Sequence, residues 1–293
     1  MRTLKELLTK IKEKGKRRCV VAVAQDETTL LALNHAYKER IVEGVLFGDK
    51  GKIKEKAVKL GISLEGFEII DEPDEEKATR MAVKTTAEDG DFLLKGKVST
   101  AIFLRSVLDK DLGLRTERVL SHVAIMEPRL YHKLLMLTDG GLNIRPDFKK
   151  KLDIIENSIN LAHRLGIPKP KVALLASSEL VNPDMPETLE WEKITEMWRN
   201  REDAIVEGPL ALDLAVSRKA CELKGISSRI GGDADILMVA DVATGNIFAK
   251  GVQYLGGAEI CGTVLGAKRP IAMLSRADSV ETKLYSMALA CLE

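Results

Sequence analysis

The chain has 293 residues, 45% hydrophobic and 30% charged, with 45 Lys+Arg set against 44 Asp+Glu. That balance describes a globular protein able to bury a sizeable core, with no net field to attract nucleic acid or a membrane surface. Aromatics at 4% leave little for base stacking, and Cys19, Cys221, Cys261 and Cys291 form no CxxC pair, so neither disulfides nor a zinc site is expected.

Charges run throughout the first eighteen residues, unlike a signal peptide, and no apolar run reaches the length of a membrane span. A cytoplasmic protein is expected. Leu4, Leu7, Leu8 and Ile11 stand at helical spacing and predict an opening helix over 3–14. Residues 19–24 are continuously apolar, the pattern of a strand covered on both faces. Asp26, Glu27 and Thr28 then start a helix with carboxylates at its positive end. A strand at 44–48, a helix at 51–61, a strand at 67–70, a helix at 74–88 and a strand at 91–96 follow.

Further strands are predicted at 134–137, 172–176, 204–207, 236–239 and 271–274, with helices at 147–165, 187–200, 209–224 and 280–291. This alternation predicts an α/β fold of two domains, with largely parallel sheets covered by helices. The polar turn from Thr138 through Asn143, with Pro146 close behind, and the loop before Pro270 mark breaks. They divide the chain into an outer domain of residues 1–137 and 266–293 and an inserted domain of residues 138–265.

Three stretches could carry chemistry. Ser275 and Arg276 follow the strand over 270–274, and Asp278 or Ser279 can cap the helix beginning near Val280. In open parallel sheets ligands bind beyond the carboxyl ends of the strands. An arginine there can grip phosphate with two prongs, and a serine hydroxyl can donate to a developing oxyanion. The plainer alternative is a capped surface helix whose arginine is solvated. A Gly245-Asn246 turn leading into a helix, with Lys250 one turn later, makes a workable anion cradle. Asp233, Asp235 and Asp241 nearby could suggest Mg²⁺, but capping and solvation suit them better. Finally, Lys95, Lys97, Ser99, Thr100 and Arg105 sit where a strand gives way to a helix, whose first free N–H groups favour an anion. The alternative there is an ordinary N-cap followed by a solvated arginine.

Cys261, in a glycine-rich loop, is a candidate nucleophile with no histidine near it in sequence. His35, His122, His132 and His163 are dispersed and form no HxxxH or HExxH pattern, so metal catalysis is not indicated. GxxxxGK[ST] and GxGxxG are absent from suitable strand–helix contexts.

Four blocks, taken in order and spacing, make a more specific signature: Lys95-Gly96 with Ser99-Thr100 and Arg105; Glu207-Gly208-Pro209-Leu210-Ala211-Leu212-Asp213; Thr244-Gly245-Asn246 with Lys250; and Ser275-Arg276-Ala277-Asp278-Ser279. Together they resemble the phosphate acyltransferases over nearly the whole chain, the phosphate butyryltransferase branch most closely. The resemblance implies a two-domain fold of the isocitrate and isopropylmalate dehydrogenase type, with the site in the cleft between the domains. It implies the reaction acyl-CoA plus phosphate to acyl phosphate plus CoA, a short and preferably butyryl acyl group, and direct thiolate attack in a ternary complex. Coenzyme A is then a substrate, no cofactor or metal is needed, the partners are small molecules, and the enzyme is a homo-oligomer.

By the same resemblance Ser275 donates to the oxyanion and Arg276 holds the phosphate. Lys250 and Arg105 complete the anion site, Ser99 and Thr100 line it, and Gly245 and Asn246 shape the loop. The acetyl-specific members carry an aspartate as thiol base seven positions after the serine; Thr282 stands there, leaving Asp278 and Glu281 as candidate bases. Their tyrosine eleven residues after the lysine is Cys261 here, a smaller side chain with room for a longer acyl group. Two other readings stay open: a metal- and NAD-dependent dehydrogenase on a related fold, and a non-catalytic acyl-CoA-binding or regulatory protein.

Overall fold

The computed structural model describes residues 1–273 and 278–292, and the chain divides into two units. One unit comprises Lys5–Arg118 and Cys261–Glu293, the other Met1–Leu4 and Val119–Ile260. In chain order, the elements begin with α1 (Leu4–Lys12), β1 (Arg17–Ala22), α2 (Glu27–Lys38), β2 (Val42–Gly48), α3 (Lys50–Leu60), β3 (Phe67–Asp71), α4 (Glu75–Asp89), β4 (Phe92–Lys95) and α5 (Thr100–Val107). The middle of the chain forms β5 (Ser121–Glu127), β6 (Leu135–Thr138), α6 (Phe148–Arg164), β7 (Lys171–Leu175), α7 (Pro186–Met197), β8 (Ile205–Leu210), α8 (Leu212–Val216), α9 (Arg218–Lys224), β9 (Ile236–Met238) and α10 (Val242–Lys250). After a π-helical turn at Gly251–Leu255 come β10 (Glu259–Leu265), β11 (Ile271–Met273) and α11 (Val280–Ala290).

Local chemistry sets the helix starts. Asp26, Asp49, Asp74, Asp147 and Asp241 precede α2, α3, α4, α6 and α10, and each accepts the backbone N–H three residues on. Each thereby satisfies a donor that the helix geometry orphans and places a negative charge at its positive end. Ser99, Ser217 and Ser279 cap α5, α9 and α11 through the same bond, without the charge.

Strands β3, β2, β1, β4 and β11 run parallel in that order, and β10 joins β11 antiparallel with Val264 opposite Ile271. Ala22 pairs with Lys95 and Lys95 with Met273, so the carboxyl ends of β1, β4 and β11 finish level. Cys19, Val20, Val21 and Ala22 of β1 are wholly buried, as the continuous apolar run requires of a strand covered on both faces.

In the other unit the order is β5, β6, β9, β7, β8, parallel except for β5 against β6. Trp191 of α7 is buried and donates its indole N–H to the Leu175 carbonyl at 2.9 Å. The expected α/β fold with largely parallel sheets is what forms. Among the described residues, no helix is long and apolar enough to cross a membrane.

Three sequence expectations need correction. The helix over 209–224 is two helices, because Ser217 is extended (φ −135°, ψ 109°), ends α8 and caps α9, while Pro209 and Leu210 still belong to β8. Gly245-Asn246 is no turn before a helix: the Asp241 cap starts α10 at Val242, and the pair lies inside it. Cys261 sits in β10 rather than a loop, fully buried.

Candidate active site

At the level carboxyl ends of β1 and β4 the backbone is drawn close. Gly96 N donates to the Ala22 carbonyl at 2.9 Å and Lys97 N to the Val23 carbonyl at 2.8 Å. A β-carbon on Gly96 would overlap the Val23 carbonyl oxygen, so this crossing needs glycine. Val23 itself has φ +60°, a left-handed conformation that costs a β-branched residue on the order of 1–3 kcal/mol. Strain of this kind, held by surrounding hydrogen bonds, gathers at functional edges.

Asp26 follows on the same edge. Its Oδ2 accepts from Thr28 Oγ1 at 2.8 Å, Thr29 N at 2.9 Å and Thr29 Oγ1 at 2.7 Å. Burial pushes its carboxyl up, but the bonds from Thr29 and Thr28, with the charge of Lys283, hold it below the ordinary value.

Beyond β4, Lys95 is half-buried, and Ser99 Oγ accepts Ile102 N at 3.2 Å to start α5. Thr100 is the first helical residue and is exposed. Arg105 is exposed too, but in the last turn, roughly 7 Å further along the axis at 1.5 Å per residue. Ser99 and Thr100 therefore share one end of α5, and Arg105 occupies the other.

Ser275 and Arg276 lie outside the described residues. Immediately after them, Asp278 is half-buried and its carbonyl accepts from Lys283 Nζ at 2.7 Å. Glu281 is exposed in the first turn of α11. Thr282, at the position of the acetyl-branch aspartate, is buried; its N–H donates to Ser279 Oγ at 3.0 Å, and its own Oγ1 accepts from the Ser279 hydroxyl. It serves the cap and is no base.

In the other unit, the loop after β6 folds around one carboxylate. Asp139 is buried and accepts from Gly141 N, Leu142 N, Asn143 N and Asn143 Nδ2 at 2.6–3.2 Å. Gly245 packs on Gly140, and Asn246 Nδ2 donates to the Gly140 carbonyl at 3.4 Å. His122 of β5 lies against the same loop, its ring about 3 Å from where a β-carbon on Gly141 would stand. Asn246 and Lys250 are one turn apart on the exposed side of α10, and the Lys250 ammonium sits 5.5 Å from the Tyr254 ring.

Other charged groups have structural work. Lys133 binds Asp235 at 2.6 Å and Asp233 at 3.0 Å, and Lys171 binds Asp233 at 2.9 Å, so both aspartates are satisfied by ammonium groups. Asp241 is the α10 cap. Glu207, in the second motif block, accepts Arg229 N at 2.7 Å, Ser228 Oγ at 3.1 Å and Ile230 N at 3.2 Å, pinning the loop before β9. Burial pushes the Cys261 thiol far above its ordinary value, which removes it as a nucleophile. A cavity of about 470 Å³ beside Arg218, Arg229 and Lys171 borders that pinned loop and holds none of the motif residues except through Glu207's grip on it.

The family model described as "Phosphate acetyl/butaryl transferase" matches residues 3–90 and 79–291. The chain belongs to the phosphate acetyl/butyryl transferase family. It is 41% identical to the phosphate butyryltransferase of Clostridium acetobutylicum over 100% of its own length and 98% of that protein. It is 38% identical to the phosphate acetyltransferase of Thermotoga maritima, covering 99% of each chain. A solved branched-chain phosphotransacylase from Enterococcus faecalis V583 superposes with a TM-score of 0.85 at 31% identity, over 94% of this chain and 99% of that one.

Several groups that no sequence motif singles out lie on the same edges. The Asp139–Asn143 loop, a break by its composition, packs against Gly245 and Asn246. By sequence Asp26 is a helix cap and Lys283 one lysine among many. The available signal for Asp26 was its place just after the buried run of β1.

Proposed function

We propose that the protein is a phosphate acyltransferase that exchanges a short-chain acyl group, butyryl in preference, between CoA and phosphate. What supports the acyl preference is the 41% identity to a phosphate butyryltransferase along the whole chain, with Thr282 and Cys261 departing from the acetyl pattern. In this reading the CoA sulfur attacks the carbonyl carbon of the acyl phosphate, a tetrahedral oxyanion forms, and the carbon–oxygen bond to phosphate breaks. The thiol proton passes to a carboxylate of the protein, and phosphate leaves as the thioester forms.

The chemistry needs oxyanion donors, cations for the phosphate, and a base. Ser275 and Arg276 take the first two roles. The free N–H groups at the start of α5, beside Ser99 and Thr100, favour an anionic substrate group. Lys250 and Arg105 offer exposed cations, and Gly245 and Asn246 hold the Asp139–Asn143 loop in shape. Asp278 is the better-placed base, since Lys283 fixes its backbone while Glu281 stands exposed on the first helical turn. A homo-oligomer working in the cytoplasm belongs to the same proposal; exposed Ile247, Tyr254 and Leu255 along α10 and its π turn offer apolar surface for a second copy.

The test is thioester formation by the purified protein from CoA with butyryl phosphate beside acetyl phosphate, without added metal. Faster butyryl turnover is the expected result. Faster acetyl turnover would keep the reaction and overturn the acyl preference, and turnover of neither would remove the proposal.

A further inference from the structure

Lys283 is 2% exposed and stands in the second turn of α11, close to the helix's positive end. Both circumstances disfavour a lysine: burial strips the ammonium of water, and the free N–H groups of a helix start repel a cation. An apolar side chain of similar length would fill the space at no such cost. Stability alone therefore gives no reason for this residue.

Its hydrogen bond does. Nζ donates to the carbonyl of Asp278 at 2.7 Å, a charge-assisted bond from a buried ammonium. Helix α11 packs on α2, and the charge of Lys283 is felt at Asp26, the α2 cap on the β1 edge. Asp26 is in turn fixed by its three bonds from Thr28 and Thr29. One buried ammonium thus holds the backbone of the residue that follows the Ser275-Arg276-Ala277 run, on a helix packed against α2.

We propose that Lys283 is a positioning residue for acyl transfer, anchoring the Asp278 backbone through its carbonyl just ahead of α11. This rests on the phosphate acyltransferase reading. Lys283 acts through Asp278, and no contact with substrate is required of it.

The experiment compares wild type with Lys283→Met and Lys283→Gln, reading kcat, KM for CoA and for acyl phosphate, Tm, and amide hydrogen exchange across residues 271–283. Lys283→Met should keep Tm at or above wild type and nearly unchanged KM values. It should lose roughly tenfold or more in kcat, the size of one charge-assisted bond, and exchange faster around Asp278. Wild-type kcat with wild-type exchange in that variant overturns the proposal. So does a fall in Tm with unaltered kcat, which is the mark of a merely structural residue. If Lys283→Met does not fold, Lys283→Gln is held to the same two outcomes. An inactive wild type would instead sink the acyltransferase reading, and exchange at Asp278 alone would then decide whether the anchor exists.

Discussion

A β-carbon on Gly245 would fall 2.7 Å from the Cα of Gly140. Both glycines belong to the motif-bearing edge beyond β6 and β9, and Gly140 is held by a loop whose amides are bound to Asp139. Alanine would gain about 1 kcal/mol of helix propensity in α10, but forcing two backbones apart costs about 1–3 kcal/mol, and the clash should win. Gly245→Ala is expected to lower Tm by a few degrees and to raise KM for an anionic substrate. Unchanged values of both would mean that the loop yields freely.

The base assignment divides two carboxylates three residues apart. Asp278→Asn should abolish the alkaline-side rise in rate and cost about 10²-fold or more in kcat, as removal of a general base does. Glu281→Gln should leave the pH profile in place. If Glu281→Gln flattens the profile and Asp278→Asn does not, the roles are reversed.

What the sequence made legible followed from strong local signals. The buried run of β1 and the aspartates at helix starts placed β1–β4 and α2–α4 within a few residues. Strand β5 escaped because His122 and Glu127 bound a short apolar stretch with no turn signal ahead of it. Strand β10 was hidden by the glycines around Cys261, which read as a loop until its pairing with β11 is seen. At the candidate site, residue types and order were readable, since the four motif blocks need no coordinates. Distances were not. Nothing in the spacing of Ser99 and Arg105 says that they occupy opposite ends of one short helix, and only tertiary packing brings Asp26 and Lys283 within electrostatic reach.

The cluster at the start of β7 and β9 predicts acid behaviour. Burial pushes the Asp233 carboxyl up, but bonds from Lys171 and Lys133 outweigh it and hold it down to about 2. A carboxylate lowered on folding stabilises the native state above its unfolded value, roughly 4, and loses that contribution as pH falls toward 2. Asp233→Asn should therefore cost about 1–3 kcal/mol near neutral pH, from two ammonium groups left short of a partner. The deficit should shrink below pH 4 and vanish near pH 2. Denaturant unfolding at pH 7, 4 and 2.5 measures it, and a deficit that is constant across the series would assign the loss to packing.

Arginines 276 and 105 are expected to separate by role. A guanidinium gripping the leaving phosphate stabilises charge that grows in the transition state, so Arg276→Ala should cost at least ~10²-fold in kcat. Arg276→Lys should recover only part of it, because an ammonium lacks the paired N–H donors. Arg105, exposed at the far end of α5, can steer or hold an anion through solvent, where screening keeps a single contact small. Arg105→Ala should raise KM severalfold at low ionic strength, with kcat near wild type and the difference fading at high salt. A large, salt-independent kcat loss in Arg105→Ala would put that residue on the reacting phosphate instead. Wild-type turnover in Arg276→Ala would reject the assignment of Arg276.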